Sequence, residues 1–149
     1  MKKIMVVALL FLVACNSNDD INNPVNPNEN IVTDLPQSSW KITYFFDDNT
    51  NQTNIYAGFS FNFNTNGSVR VVNDIFSETG SWLYEDASHD SSDDDGIEND
   101  EELILVFSNS NFFSKLSDDW HITSASKTKV ELFDESSDGN MQFLTFTKH

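Results

Sequence analysis

Apolar side chains recur at every second residue along most of this chain. Between residues 40 and 46 they alternate with polar ones, with Phe45 as the exception, and the phenylalanines of residues 59–63 alternate with serine and asparagine. A period of two is typical of strands that bury one face. The same pattern predicts further strands at 69–75, 80–84, 103–107, 120–123, 129–132 and 141–147.

Turn signals separate these segments. Asn66-Gly67 follows one strand and Asp138-Gly139 precedes the last, and both pairs favour the positive φ of hairpin turns. No segment has the length and 3.6-residue period of an amphipathic helix, and no proline follows Pro36. Eight strands with mostly short connections predict an all-β, eight-stranded antiparallel up-and-down barrel. A two-sheet β-sandwich is the alternative.

The segment 103–107 is apolar on both faces, unlike the other strands. A strand of this kind is usually covered on both sides. We therefore expect Phe112, Phe113 and Leu116 to cover its outer side.

The first residues have the anatomy of a secretion signal. Met1-Lys2-Lys3 is basic, and residues 4–14 are apolar and uncharged, too short a run to span a bilayer. Leu12-Val13-Ala14-Cys15 resembles the lipobox of bacterial lipoproteins, which implies cleavage before Cys15 and acylation of its thiol. Two or three acyl chains would anchor the protein stably. Acylation would also account for a lone cysteine in an exported chain.

The predicted organisation has three parts. Residues 1–14 form the signal peptide, 15–36 a lipidated, disordered tether, and 37–149 the barrel domain. The tether is rich in asparagine and contains all three prolines, and twenty such residues reach about 25 Å. Anchoring in the outer membrane of a Gram-negative bacterium is the expected location. The acidic stretch 16–20 resembles surface-export signals, although a tether that is acidic by chance fits equally well.

The chain is strongly acidic. Loss of Lys2 and Lys3 with the signal would change the formal net charge from −16 to −18. Nucleic acids and anionic lipids bind through lysine and arginine, so this charge disfavours both and favours cations or basic partners. A folded part of this size predicts one monomeric domain.

Ten of the 24 acidic residues lie between Glu85 and Glu102. With Gly96 as the glycine of a calcium loop, oxygen ligands would come from residues that include Asp93, Asp95, Asn99 and Glu102. Ser91 replaces the usual first aspartate, and no helix flanks the segment. A solvated hairpin loop is therefore the competing interpretation of a Ca²⁺ site.

The order of several motifs resembles the lipocalin-like domain of bacterial lipoproteins. The resemblance covers about residues 38–147 and rests on Ser39-Trp40-Lys41-Ile42-Thr43, Phe59-Ser60-Phe61-Asn62, Gly80-Ser81-Trp82, Asp119-Trp120-His121-Ile122 and Leu144-Thr145-Phe146. The lipocalin opening Gly-x-Trp is replaced by Ser38-Ser39-Trp40. The resemblance implies a calycin-type barrel on a lipid anchor and brings no catalytic residues with it.

The barrel interior is the candidate binding site. Its expected lining residues are Tyr44, Phe61, Trp82, Tyr84 and Trp120. Aromatic side chains supply a large apolar contact surface, and Tyr and Trp add a hydrogen-bonding group. An interior filled by these side chains is the alternative. Two functions follow: a barrel that binds a small apolar or amphipathic ligand, or a filled barrel that presents acidic loops to a basic partner or Ca²⁺.

No catalytic motif is present in the sequence. Gly-x-Ser-x-Gly and His-Glu-x-x-His are both missing. His121 alternates with Trp120 and Ile122, which predicts an outward, solvent-facing histidine. We therefore expect a protein that is not an enzyme and needs no cofactor.

Overall fold

The strands in the described part of the chain form one antiparallel sheet that closes on itself. The structure is a computed structural model and describes residues 30–86, 101–108, 112–136 and 139–149. Eight strands pair in chain order and β1 also pairs with β9, which closes the barrel. The predicted up-and-down barrel is confirmed, and the open sandwich is excluded. The strands are β1 (Ser39–Asp47), β2 (Thr50–Asn51), β3 (Ser60–Phe63), β4 (Ser68–Val72), β5 (Ser77–Glu85), β6 (Glu102–Val106), β7 (Asp118–Ala125), β8 (Lys129–Glu135) and β9 (Met141–Lys148).

The short strand β2 is additional to the barrel. It pairs only with the end of β1, across a two-residue turn in which Asp48 and Asn49 both have positive φ, 56° and 57°. Two consecutive residues with positive φ fit the twist of a hairpin. The turn between β3 and β4 likewise has Gly67 at φ 79°, as its Asn-Gly pair predicts.

A β-bulge in β1 decides which side chains enter the barrel. The pairing of β1 with β9 shifts between Ile42 and Tyr44, so an extra residue is inserted there. Phe45 is consequently buried, whereas Tyr44 lies outside and is 39% exposed. The prediction that Tyr44 faces inward is wrong, because an alternation counted along the sequence cannot detect an inserted residue.

One end of the barrel, the helical end, is closed by residues 31–37. They form an α-helix at Ile31–Asp34 and a 3-10 helix at Leu35–Gln37, with Ile31 and Leu35 in the hydrophobic core. The packed region therefore begins before the predicted boundary at residue 37, because these two side chains bury apolar surface against the barrel. Among the described residues, no helix is long and apolar enough to span a bilayer.

The opposite end, the aromatic end, holds the 3-10 helices Thr53–Tyr56 and Ser114–Leu116 and the turn between β4 and β5. Phe113 and Leu116 are fully buried. Phe113 contacts the inward rings of Phe61 and Phe107. These side chains therefore plug the interior and do not cover the outer side of β6, where Val106 is exposed. The predicted outer cover is wrong, since Phe113 and Leu116 pack into the barrel opening.

Candidate functional site

Four of the five predicted lining residues face the barrel interior. Phe61 and Trp120 are fully buried, Trp82 is nearly so, and Tyr84 packs against the core while partly exposed. The fifth, Tyr44, stacks on Phe46 outside the barrel, with 6.5 Å between ring centroids.

The interior side chains pack directly against one another. Phe61 and Phe146 have ring centroids 5.3 Å apart, and Phe63 lies 5.6 Å from Phe146 and 5.7 Å from Trp82. All three pairs meet edge to face, an arrangement favoured by aromatic quadrupoles. In this part of the molecule the barrel is filled by its own side chains.

A small cavity lies at the helical end. It has a volume of about 10 Å³ and is lined by residues that include Ile31, Leu35, Trp40, Ala125 and Val130. A single water molecule needs about 10–15 Å³, and drug-sized ligands occupy pockets of about 300–1,000 Å³. The described residues thus leave room for one water at this end and none for a ligand.

Each tryptophan donates an indole hydrogen bond to a backbone carbonyl of a connecting segment. Trp40 Nε1 donates to Leu35 O at 2.9 Å and Trp120 Nε1 to Leu116 O at 3.0 Å. Trp82 Nε1 donates to Asn64 O at 3.0 Å, beside the turn between β3 and β4. Buried indoles need such acceptors, and these bonds fix the segments that close the barrel.

The plug at the aromatic end is built around Phe113. Its ring lies between 4.9 Å and 6.2 Å, centroid to centroid, from six other rings. They are Tyr56, Phe59, Phe61, Phe76, Phe107 and Phe112. The ring of Phe107 occupies the space above Gly80, where a Cβ atom would lie 2.6 Å from it. Glycine at position 80 is therefore required for this aromatic cluster.

A carboxyl group lies on the inner face beside this cluster. Glu78 is only 8% exposed and has the same orientation on β5 as the buried Trp82. It pairs across the sheet with Val71, which pairs in turn with Phe61. Its Oε1 is buried and has no hydrogen-bond partner among the described residues. The sequence pattern did not identify Glu78 as a buried residue, because a single acidic residue in a strand is expected to face outward.

Apolar side chains are exposed at the rim of the same end. Ile75 is 96% exposed at the tip of the turn between β4 and β5, and Phe76 is partly exposed beside it. Asn73 Oδ1 accepts hydrogen bonds from the backbone nitrogens of Ile75 and Phe76, at 3.1 Å and 2.9 Å. The turn is thus ordered and holds Ile75 in solvent, whereas the sequence predicted this residue to continue a strand.

Two other acids at this end form a carboxyl pair. Burial raises the pKa of Asp118, more than its hydrogen bonds to Asp119 and Asp134 lower it. Burial and then the negative charge of Asp118 raise the pKa of Asp134. Two carboxylates that share a partly buried site disfavour full ionisation of both.

Tyr56 closes the plug from the side. Burial, with a smaller contribution from the charge of Asp47, raises the pKa of Tyr56 to about 12. The hydroxyl therefore stays neutral at physiological pH, and it donates a hydrogen bond to Phe112 O at 3.2 Å.

His121 is buried, not solvent-facing. It is 5% exposed, its ring is tilted against that of Phe133 with centroids 5.0 Å apart, and its Nδ1 lies 3.4 Å from Glu102 Oε1. The prediction of a surface histidine is wrong. His121 does alternate with the inward Trp120, but its cross-strand neighbours Phe133 and Glu102 enclose it on the outer face.

The predicted calcium ligands are mostly outside the described residues. Asp93, Asp95 and Asn99 fall there, as does Cys15, whereas Glu102 lies on β6 beside His121. Within the described ranges no group of three or more His, Cys, Asp or Glu residues is close enough to hold a metal ion. The Ca²⁺ site remains a prediction.

The chain was compared with known protein families and with curated proteins. Neither a scan of protein-family models nor a search of curated proteins found a match.

Proposed function

We propose that this protein is a non-enzymatic interaction module that binds a basic partner on its acidic surface, with a filled barrel as rigid support. The packing of the interior is the observation that carries the proposal. Phe61, Trp120 and Phe146 are fully buried against neighbouring rings. The binding surface is therefore sought on the outside of the barrel and at its ends.

The charge of the chain supports a basic partner. The formal net charge is −16, with 24 acidic and 8 basic residues. A potential of one sign attracts partners of the other and raises their association rate. Ca²⁺ bound by the acidic segment 85–102 is a further part of this proposal.

The proposed location is the outer membrane, through acyl chains on Cys15. The support is the sequence of residues 1–15, with its basic start, short apolar run and closing cysteine. The described chain enters the barrel at the helical end, through Ile31–Gln37. The aromatic end is thus the one farther from the anchor along the chain.

A small apolar or amphipathic ligand inside the barrel is the second candidate function. The aromatic lining of the interior favours it, since Trp82 and Tyr84 supply ring surface for apolar contact. Native mass spectrometry of the mature protein, purified from its host, separates the two candidates. We expect the mass of the acylated polypeptide alone. A stoichiometric small molecule released on unfolding would instead establish ligand binding.

Binding of a basic peptide tests the main proposal. The probe is an amidated octapeptide of alternating arginine and leucine, titrated by calorimetry into the mature protein in detergent. We expect saturable binding that weakens as salt rises from 0.05 M to 0.5 M, because salt screens exposed charges. Failure of the peptide to bind at low salt would contradict the proposal.

A further inference from the structure

We propose that the Glu78 carboxylate is the anionic ligand of a subsite at the aromatic end. This subsite binds one cationic side chain of the basic partner, an arginine guanidinium or a lysine ammonium. This inference rests on the proposed function and specifies where the partner is held. It joins three observations: a buried carboxyl oxygen without a partner, the surrounding aromatic rings, and an exposed apolar rim.

The carboxyl of Glu78 is the acceptor. It is more than nine-tenths buried, and its Oε1 has no hydrogen-bond partner in the part of the chain that the structure describes. A buried acceptor without a donor is destabilising, so proteins usually supply one. A charged donor from outside would form the stronger, charge-assisted bond.

The nearby basic side chains that the structure describes are engaged elsewhere. Arg70 lies on the outer face and donates from Nε to Ser77 Oγ at 3.1 Å. Lys115 donates from Nζ to Asp47 Oδ2 at 2.8 Å. A cation that satisfies Glu78 is therefore expected to come from another molecule.

Aromatic residues flank Glu78 in the chain and on neighbouring strands. Phe76 lies two residues before Glu78, just ahead of β5, and the ring of Phe107 covers Gly80 two residues after it. Both rings contact Phe113, at 5.7 Å in each case, and Phe113 also contacts Phe61, two strands away from Glu78. Ring faces attract cations, so a guanidinium entering here gains both a carboxylate and aromatic contacts.

The rim supplies apolar contact for the residues that flank the inserted cation. Ile75 is almost fully exposed on an ordered turn, and Phe76 is partly exposed beside it. These two side chains provide apolar contact area beside the proposed subsite. Because the chain enters at the opposite end, through Ile31–Gln37, the approach to this rim is not blocked by that segment. A segment that alternates basic and apolar residues matches this arrangement.

The test compares Glu78→Gln with the wild-type protein in calorimetric titrations with the arginine–leucine octapeptide. Glutamine keeps the size of the side chain and removes its charge, and we expect binding to weaken by about tenfold or more. The matched control Asp74→Asn removes an exposed charge from the same end and should change binding less than about twofold. Thermal unfolding verifies that both variants are folded.

The peptide offers a second comparison. In a second peptide, citrulline, which is neutral and nearly isosteric with arginine, replaces every arginine. The citrulline peptide should bind wild-type protein weakly and should bind Glu78→Gln equally weakly. In wild-type protein, amide chemical shifts on peptide addition should move at Glu78 and Gly80 and stay unchanged at Trp40.

The outcomes separate the two proposals. Equal binding of the arginine peptide to wild type and Glu78→Gln, or shifts confined to residues away from the aromatic end, would overturn the subsite and leave the interaction module standing. No binding to wild type would overturn the interaction module itself.

Discussion

The two ends of the barrel are closed by the same device but present different surfaces. At the helical end Trp40 donates to Leu35 O, and at the aromatic end Trp120 donates to Leu116 O. In both cases a tryptophan of the barrel wall fixes a 3-10 helix whose leucine is fully buried. Both ends of the barrel are thus closed by the same two residue types, a buried leucine and a tryptophan that follows it in the chain.

The two ends differ in the unpaired polar groups and the exposed apolar side chains that remain after each plug is in place. The helical end buries the aliphatic side chains of Ile31 and Leu35, around a cavity the size of a water molecule. The aromatic end buries Glu78 among rings and exposes Ile75 and Phe76. Burying a carboxyl and exposing large apolar groups both disfavour folding. The proposed cation subsite lies at the aromatic end for this reason, whereas Ile31 and Leu35 stabilise the helical end.

The largest expected effect comes from removing the helical plug. A variant that starts at residue 38 loses Ile31 and Leu35 and should be less stable by roughly 3–6 kcal/mol, at about 1.5–3 kcal/mol for each buried side chain. Urea unfolding followed by tryptophan fluorescence measures this. A variant that starts at residue 30 is the control and should match a variant that starts at residue 16. Equal stability of all three would show that the barrel domain begins at residue 37, as the sequence predicted.

The next effect concerns the aromatic plug. Phe113→Ala removes the ring at the centre of the cluster and should lower the free energy of unfolding by about 3–5 kcal/mol, because the cavity cannot collapse. Phe112→Ala is the matched control: Phe112 is partly exposed, so its loss should cost under about 1.5 kcal/mol. If the two variants were equally stable in urea, Phe113 would not be the centre of the plug.

The smallest effect is a pH dependence confined to the aromatic end. The folded-state pKa values of Asp118 and Asp134 are raised. Raised acid pKa values favour the fold below the unfolded pKa of about 3.9, and this contribution is lost as pH rises through the folded values. At pH 7 both groups are therefore unfavourably charged, and Asp134→Asn should stabilise the protein by under about 1 kcal/mol, since water screens the pair.

Thermal unfolding of Asp134→Asn at pH 7 and pH 3 measures this dependence. The gain should be present at pH 7 and vanish at pH 3, where both carboxyls are protonated. The control Ile55→Ala, at an exposed uncharged side chain of the same end, should change stability equally at both pH values. A larger gain at pH 3 than at pH 7 would contradict the assigned direction.

The barrel and most of its inward residues could be predicted from the sequence. Alternation places Phe61, Trp82 and Trp120 correctly, because a strand turns successive side chains to opposite faces and only one face can be dry. The bulge before Tyr44 could not be predicted in the same way, since an inserted residue leaves the composition of the segment unchanged. The burial of His121 also depends on cross-strand neighbours that lie far away in the chain.

The candidate site was harder to predict from the sequence than the barrel. Glu78 sits in a strand of mixed composition, and its burial at the aromatic end is a result of tertiary packing. The sequence instead indicated the acidic segment 85–102 and Tyr44 as candidate binding residues. Charge density and aromatic content are local properties, whereas an unpartnered carboxyl is a property of packing.

The sequence by itself determined the period of two, the turns that separate the strands, the acidic charge and the lone cysteine after an apolar run. These follow from local preferences and from composition. Tertiary structure alone decided that β1 meets β9, that Ile31 and Leu35 belong to the core, and that Phe113 fills the barrel opening. Each of these is a contact between distant segments, selected because closing the sheet leaves no unpaired edge and plugging its ends removes the remaining apolar surface from water.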